Sequence, residues 1–339
     1  MNSKDIRIVF MGTPEFAVGS LEALVEGGYN VVGVVTMPDK PAGRGHKIQY
    51  SAVKQYALEK GLKLMQPEKL KDEAFISELK ALNADLQIVV AFRMLPEIVW
   101  SMPPMGTFNL HGSLLPQYRG AAPINWAIIN GDKETGVTTF MLKHEIDTGN
   151  IILQEKTPIA PEDNIGTVYD RLMEIGAGLV TKTVDLIAEG DVKTLPQESS
   201  EELRPAPKIF KETCRLDFSK KAEQLHNLVR GLSPYPAAWV EIENEGGERR
   251  ILKIYETEVE TASHNEKPGT IISDGKKTLK VACADGYLKL KSVQLSGKRR
   301  MTVQEMLCGM KIEAEKIVLY IRKHINKTYH DSITIIAVC

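Results

Sequence analysis

Ile6-Arg7-Ile8-Val9-Phe10-Met11 is an apolar run broken by Gly12-Thr13-Pro14, and after Gly27-Gly28 a second run, Val31-Val32-Gly33-Val34-Val35-Thr36, follows. Thr13 can cap a helix, Pro14 suits its first turn, and the glycine pair can end it. Two apolar strands joined by one helix through short connections form a β-α-β unit, the opening of a parallel α/β sheet. The dinucleotide fingerprint G-x-G-x-x-G is missing from the first turn, which weighs against a nicotinamide enzyme.

Downstream, Met37–Tyr50 reads as a long polar loop with Pro38, Pro41, Gly43 and Gly45. Helical patterns are expected over 51–60, 72–82, 121–129 and 165–188, and strands over 86–91, 107–110, 137–142 and 151–158. Gly190–Pro207, polar and holding Pro196, Pro205 and Pro207, reads as a linker. The period then changes. A helix is expected over 222–231, followed by short strands near 237–243, 250–256, 269–273, 278–282 and 286–294. Closely spaced strands of this kind suggest a small barrel, and OB-like barrels commonly bind nucleic acid. Residues 312–324 are helical in pattern.

The chain has 339 residues, 43% hydrophobic and 26% charged, the balance of a folded globular protein of one large or two ordinary domains. No stretch approaches the roughly 18 apolar residues of a membrane span, so no membrane partner is expected. The charges inside the first apolar run exclude a secretory signal. Cys214, Cys283, Cys308 and Cys339 form no C-x-x-C pair, which fits a reducing cytoplasm. Residues 1–207 hold 20 Lys+Arg against 27 Asp+Glu, a net of −7, and residues 208–339 hold 23 against 17, a net of +6. A basic second half suggests a polyanionic partner, with chance surface charge the plainer alternative.

The densest chemistry lies in Thr107-Phe108-Asn109-Leu110-His111-Gly112-Ser113-Leu114-Leu115-Pro116-Gln117-Tyr118-Arg119-Gly120. On an extended strand Asn109 and His111 share a face. Two such donors can hold the oxygen of a tetrahedral acyl intermediate. The acid candidate is Asp147, within His144-Glu145-Ile146-Asp147-Thr148-Gly149. A lone Asn-x-His is most often a plain hydrogen-bonded turn. An aspartic protease needs a second Asp-Thr-Gly, which is missing. His111, His144 and Asp147 as metal ligands match no metal spacing, so no metal is expected. Ser113 lacks a nucleophile elbow and reads as a cap.

With Asn109 before it and Asp147-Thr148-Gly149 after it, the stretch His111–Gly120 resembles the signature of the folate-dependent formyltransferases. Members of that family formylate glycinamide ribonucleotide, an amino-arabinose nucleotide or methionyl-tRNA. Met11–Ala17, Pro38–Gly45, Gly120–Ile124 and Ser233-Pro234-Tyr235-Pro236-Ala237-Ala238-Trp239 are similar to the branch that acts on methionyl-tRNA. The resemblance covers roughly residues 5–309.

The resemblance implies an α/β chain: a Rossmann-like formyltransferase domain with a mostly parallel sheet (1–189), a linker (190–207), and an OB-like β-barrel domain that binds tRNA (208–309). Residues 310–339 form a tail unlike the family. It implies 10-formyltetrahydrofolate as co-substrate and initiator methionyl-tRNA as acceptor, with Asn109, His111 and Asp147 as the catalytic trio. Folate would lie along Ser113, Leu114, Leu115 and Pro116 and against Val90, Ala91, Phe92 and Leu95. Lys40, Arg44 and Lys47 would reach the acceptor end of the tRNA, and Phe16 the methionine side chain unless it is plain helix packing. In this picture Asp147 accepts a hydrogen bond from His111. The family usually carries Tyr-Gly where Phe92-Arg93 stand, which could put a cation near the folate's glutamate tail. A small-amine formyltransferase of the glycinamide type would end near residue 205 and need no barrel, and a non-catalytic RNA-binding protein would not need the trio.

Overall fold

The computed structural model describes residues 1–42, 47–190, 192–198, 202–310, 312 and 315–318. Burial on both faces accounts for the first apolar run: all five residues of β1 (Ile8–Gly12) are buried. Its helix, α1 (Glu15–Glu26), leads to β2 (Val31–Val35). Then come the hairpin β3 (Lys40–Ala42) and β4 (Lys47–Gln49), α2 (Ala52–Glu59), β5 (Leu64–Met65), α3 (Glu73–Ala81), β6 (Leu86–Val90) and α4 (Glu97–Trp100). The domain continues with β7 (Thr107–His111), α5 (Pro123–Ile129), β8 (Glu134–Met141), β9 (Ile151–Pro158) and α6 (Ile165–Glu189).

The strands form one sheet in the order β5-β2-β1-β6-β7-β8-β9, parallel from β5 to β7 with β8 and β9 antiparallel. Strand order reverses between β1 and β6, so the sheet has its switch point there, where α/β folds bind ligands beyond the carboxyl ends of the strands. Alternate residues feed two cores. Phe10, Ile88, Val90, Phe108 and Leu110 pack with α1, α5 and α6, while Val9, Met11, Val89 and Val35 pack with α3 and α4.

Ser51, Asp72 and Asn164 cap α2, α3 and α6 through their side chains. Thr13 does not cap α1. Pro14 holds that position, the Phe16 N–H is satisfied by the Tyr169 hydroxyl at 2.8 Å, and Thr13 Oγ1 is buried with no hydrogen-bond partner among the described residues.

The second domain follows α7 (Ala222–Leu232) with β10 (Ala238–Asn244), β11 (Arg249–Thr261), β12 (Ile271–Ser273), β13 (Leu279–Ala282), β14 (Gly286–Leu295), β15 (Met301–Thr302), α8 (Val303–Gly309) and β16 (Glu315–Ile317). Its antiparallel sheet runs β12-β13-β14-β11-β10-β16, with β15 on β14 and β12 reaching β16. Register shifts around Glu256 bend the long β11, as bulges do, and the sheet curls into a nearly closed barrel. The expected Rossmann-like sheet and small barrel are thus borne out.

The expected helix over 312–324 is corrected within the described residues. Ile312 is buried in the barrel core, and β16 pairs with β10, with Lys316 2.7 Å from Glu243. The start of the expected tail therefore belongs to the barrel. Described residues of the 190–207 linker are tied to the first domain. Leu195 bridges to Ile151, Ala206 bridges to Gly120, and the Tyr118 N–H donates to the Arg204 carbonyl at 2.8 Å. This strap crosses the sheet's functional edge before entering the barrel.

The two domains meet where α7 packs on α5. Asn125 donates to the Gly231 carbonyl at 2.8 Å, and Arg230 donates to the carbonyls of Ala160 and Asp163, each at 3.2 Å. Among the described residues no helix is long and apolar enough to cross a membrane.

Candidate active site

β7 brings Asn109 and His111 to one face of the sheet while Phe108 and Leu110 enter the core behind it. Asn109 is half-buried, and its amide has no hydrogen-bond partner among the described residues. His111 is 7% exposed, with its ring edge-to-face on Phe140. Its Nε2 lies 2.9 Å from the Tyr118 carbonyl oxygen. A carbonyl can only accept, so Nε2 carries the proton and Nδ1 remains for chemistry. Tyr118 sits in the left-handed region, φ 61°, which turns that carbonyl back to the ring.

Asp147 does not contact His111. Among the described residues no hydrogen bond or ion pair joins them, and the Asp147 carboxylate instead accepts from the Gly120 N–H at 3.0 Å. The two side chains grip opposite ends of the same short turn, Tyr118–Gly120. That corrects the expected direct bond. Asp147 is held at φ 55°, also left-handed. Gly149, two residues on, lies so close to β8 that a Cβ there would stand 1.5 Å from the Met141 carbonyl oxygen. Gly120 likewise lies against the strap, where a Cβ would meet the Ala206 carbonyl oxygen at 2.5 Å.

Gln197 of the strap closes the arrangement. Its Nε2 donates to the Asp147 and Gly149 carbonyls at 2.8 and 2.7 Å, and its Oε1 accepts from Arg119 Nε and Nη2 at 3.0 and 2.7 Å. Sequence reasoning missed Gln197, because a lone Gln in a polar segment carries no pattern.

Beyond His111 the chain is pinned by Thr138. Its hydroxyl donates to the Ser113 carbonyl at 2.6 Å and accepts from the Leu115 N–H at 3.1 Å and from Gln154 at 2.9 Å. Ser113 is fully buried and donates to the Gln117 carbonyl, and Leu115 is 3% exposed. Their side chains therefore face inward, and a ligand would meet only their backbone. Leu114 and Pro116 are half-buried.

On the neighbouring strand end, Val90 is fully buried in the core and Leu95 is 9% exposed. Ala91 (φ 45°) and Phe92 are half-buried at the rim. Arg93 does not reach outward as a cation. Its guanidinium donates to the carbonyls of Pro67 and Glu68, and burial lowers its pKa. Three of the left-handed non-glycine residues, Ala91, Tyr118 and Asp147, thus border one site, where backbone strain commonly marks function.

Phe16 is 5% exposed and packs edge-to-face on Tyr169, so the packing reading describes it here. Lys40 and Lys47 lie on β3 and β4, whose base is tied by an ion pair of Lys54 with Asp39 at 2.5 Å. That bond, with help from Gln66, holds the Asp39 carboxyl below its usual range. Arg44 lies outside the described residues. His144 is exposed, 3.2 Å from Glu97. Among the described residues no group of three or more His, Cys, Asp or Glu side chains could hold a metal ion.

The family described as formyl transferase matches residues 6–184, and the formyl transferase C-terminal domain matches 208–311. The chain is 62% identical over 312 residues to a methionyl-tRNA formyltransferase of Bacteroides fragilis, covering 91% of this chain and 96% of that one. It is 62% identical over 323 residues to the enzyme of that name from Parabacteroides distasonis, covering 94% and 100%. Among solved structures, an N-formyltransferase from Helicobacter canadensis in complex with folinic acid and dTDP-3-aminofucose superposes with a TM-score of 0.59 at 20% identity, covering 87% of this chain and 100% of that one. HypX from Aquifex aeolicus in complex with tetrahydrofolic acid gives a TM-score of 0.59 at 19% identity, covering 89% and 47%. At these identities the two structures speak for the fold alone.

Proposed function

The chain belongs to the formyl transferase family, and from that premise we propose that it moves the formyl group of 10-formyltetrahydrofolate to the α-amine of methionine on initiator tRNA. The product is N-formylmethionyl-tRNA for translation initiation, and the reading places the enzyme in the cytoplasm. Relatives at 62% identity over nearly their whole length support the acceptor. The observation that carries the chemistry is the joint placement of Asn109 and His111 at the carboxyl end of β7, with Asp147 tied to the same turn as His111.

The residues present fit a flat, partly apolar co-substrate. Half-buried Ala91 and Phe92 on one strand end, and Leu114 and Pro116 beyond the next, offer apolar edges on both sides of β7. Asn109 adds an amide with no hydrogen-bond partner among the described residues. When bound, the folate supplies the formyl carbon and a leaving nitrogen.

Around that carbon the chain's own groups have distinct tasks. The Asn109 amide donates to the oxygen on which negative charge develops. Neutral His111, with Nε2–H committed to the Tyr118 carbonyl, presents a lone pair on Nδ1 that can take the proton of the attacking amine. The charged ring donates from Nδ1 to that oxygen and then gives the proton to the leaving nitrogen, as the bond from that nitrogen to the formyl carbon breaks and the new amide forms. The Asp147 carboxylate, fixed by the Gly120 N–H, places a negative charge beside the turn that holds His111.

In the barrel, Arg249, Arg299 and Arg300 are paired with Glu243, Glu305 and Glu256. Trp239 lies under Lys211 and Arg215, and Phe210 is 58% exposed beside Lys208. A cationic surface with aromatic faces at the domain junction suits a nucleic-acid backbone and its bases.

The test uses a donor labelled in its formyl group and charged initiator methionyl-tRNA. Label recovered as N-formylmethionine after deacylation supports the reading. Label released only as formate would make the protein a hydrolase of the donor and overturn it.

A further inference from the structure

Asp147 poses a physical question that the trio alone leaves open. A non-glycine residue in the left-handed region is uncommon and persists where its surroundings hold it there. Its carboxylate has the Gly120 N–H, but that N–H belongs to an exposed glycine in a turn. The firm restraint comes from the strap between the domains.

Resting on the functional reading above, we infer that Gln197 is a positioning residue for the catalytic carboxylate of Asp147. Gln197 uses both amide hydrogens, on the carbonyls of Asp147 and Gly149, and both lone pairs, on Arg119. One side chain therefore joins the loop that carries Asp147 to the turn whose Tyr118 carbonyl holds His111. Gly149 is already seated against β8, so fixing its carbonyl and that of Asp147 leaves the intervening backbone no freedom to rotate the carboxylate away. A primary amide offers two N–H donors and an acceptor with two lone pairs on one planar group, which among side chains only Asn and Gln carry. The reach from the strap selects Gln. A glutamate keeps the grip on Arg119 but opposes two carbonyls with an acceptor, and a methionine fills the space with neither function.

The same strap continues through Arg204, bonded to the Tyr118 N–H and to Asp132, and through Ala206, which accepts from the Ala121 N–H at 2.7 Å, into the barrel domain. The carboxylate is thereby held by the chain segment that leads into the barrel.

The experiment is a double-mutant cycle on the full-length protein, with the formyl-transfer step measured in single turnovers with enzyme in excess. Gln197→Met should lower the rate by about 10–100-fold, the scale expected when a reacting group is misplaced by about 1 Å. KM values for methionyl-tRNA and for the formyl donor should stay within about twofold of wild type, since neither ligand touches Gln197 in this account. In an Asp147→Asn background the same substitution should cost less than about twofold, because residues acting as one unit are not additive. Gln197→Glu should lower the rate as well, and it carries the test alone if Gln197→Met fails to fold.

Equal losses in both backgrounds, a loss confined to KM, or a wild-type rate in Gln197→Glu would each overturn the inference. Failure of the functional reading looks different. Wild-type enzyme would then leave methionyl-tRNA unformylated, or Asp147→Asn would turn over normally, and the premise would fall together with the positioning role.

Discussion

His111 shows how far a single contact can be read. Because the Tyr118 carbonyl accepts a hydrogen bond from Nε2–H, the nitrogen that the proposed mechanism uses is Nδ1. Removing one preorganised oxyanion donor typically costs ~10²–10³ in rate. Asn109→Ala and His111→Ala should therefore each lose at least that much turnover, with tRNA affinity nearly unchanged. Near-normal turnover in either variant would remove it from the trio. Asp147→Asn keeps an oxygen that can accept from the Gly120 N–H, so its expected severe loss reports missing charge rather than a lost tether. Asn109 and His111 were legible in the sequence because a period of two puts them on one face. The route from Asp147 to His111 was not, since it runs through the 118–120 turn and a strap residue some 50 positions away in the chain. The side chains of Val90, Ser113 and Leu115 look like pocket residues in the motif but are buried by their neighbours, which no local pattern reports.

At the scale of elements, local signals succeeded wherever the chain satisfies its own backbone. Ser51, Asp72 and Asn164 are side-chain caps that any sequence reading can find, whereas the start of α1 is completed by the Tyr169 hydroxyl from α6. β16 was misread as helix because its partner, the edge of β10, is also a distant one. The start of α6 yields a prediction in acid. Burial opposes ionisation of Asp163, but Arg171, the Ala160 N–H and the Thr167 hydroxyl outweigh it and hold the carboxyl below its ordinary value. A carboxyl depressed in the folded state contributes stability that is complete above its unfolded pKa of about 3.9 and is lost as pH falls through the folded value. Asp163→Asn should therefore destabilise the protein by about 1–3 kcal/mol at neutral pH. The gap to wild type should close below about pH 4. Urea midpoints measured across that range decide it, and a gap that stays constant into acid would show that Asp163 is not the group responsible.

For the whole molecule, the charge divides where the two domains divide: net −7 in residues 1–207 and net +6 in 208–339. What the charge count could not show is that Arg249, Arg299 and Arg300 are partly spent on neighbouring glutamates, nor that α7 seats the barrel on α5 through Arg230 and Asn125. Burial pushes the Arg230 pKa down, yet the Ala160 and Asp163 carbonyls hold its guanidinium in the interface. Because Lys and Arg displace counterions from phosphate, affinity for tRNA should fall steeply between about 50 and 200 mM salt. Affinity that ignores salt would make the barrel a brace rather than a binding surface. The reading as a whole rests on which amine receives the formyl group. The most direct measurement is kcat/KM for formyl transfer from 10-formyltetrahydrofolate to initiator methionyl-tRNA, set beside the same constant for glycinamide ribonucleotide under identical conditions. The account predicts efficient transfer to the charged tRNA, abolished by His111→Ala, and negligible transfer to the small amine. Efficient transfer to glycinamide ribonucleotide with none to methionyl-tRNA would contradict it.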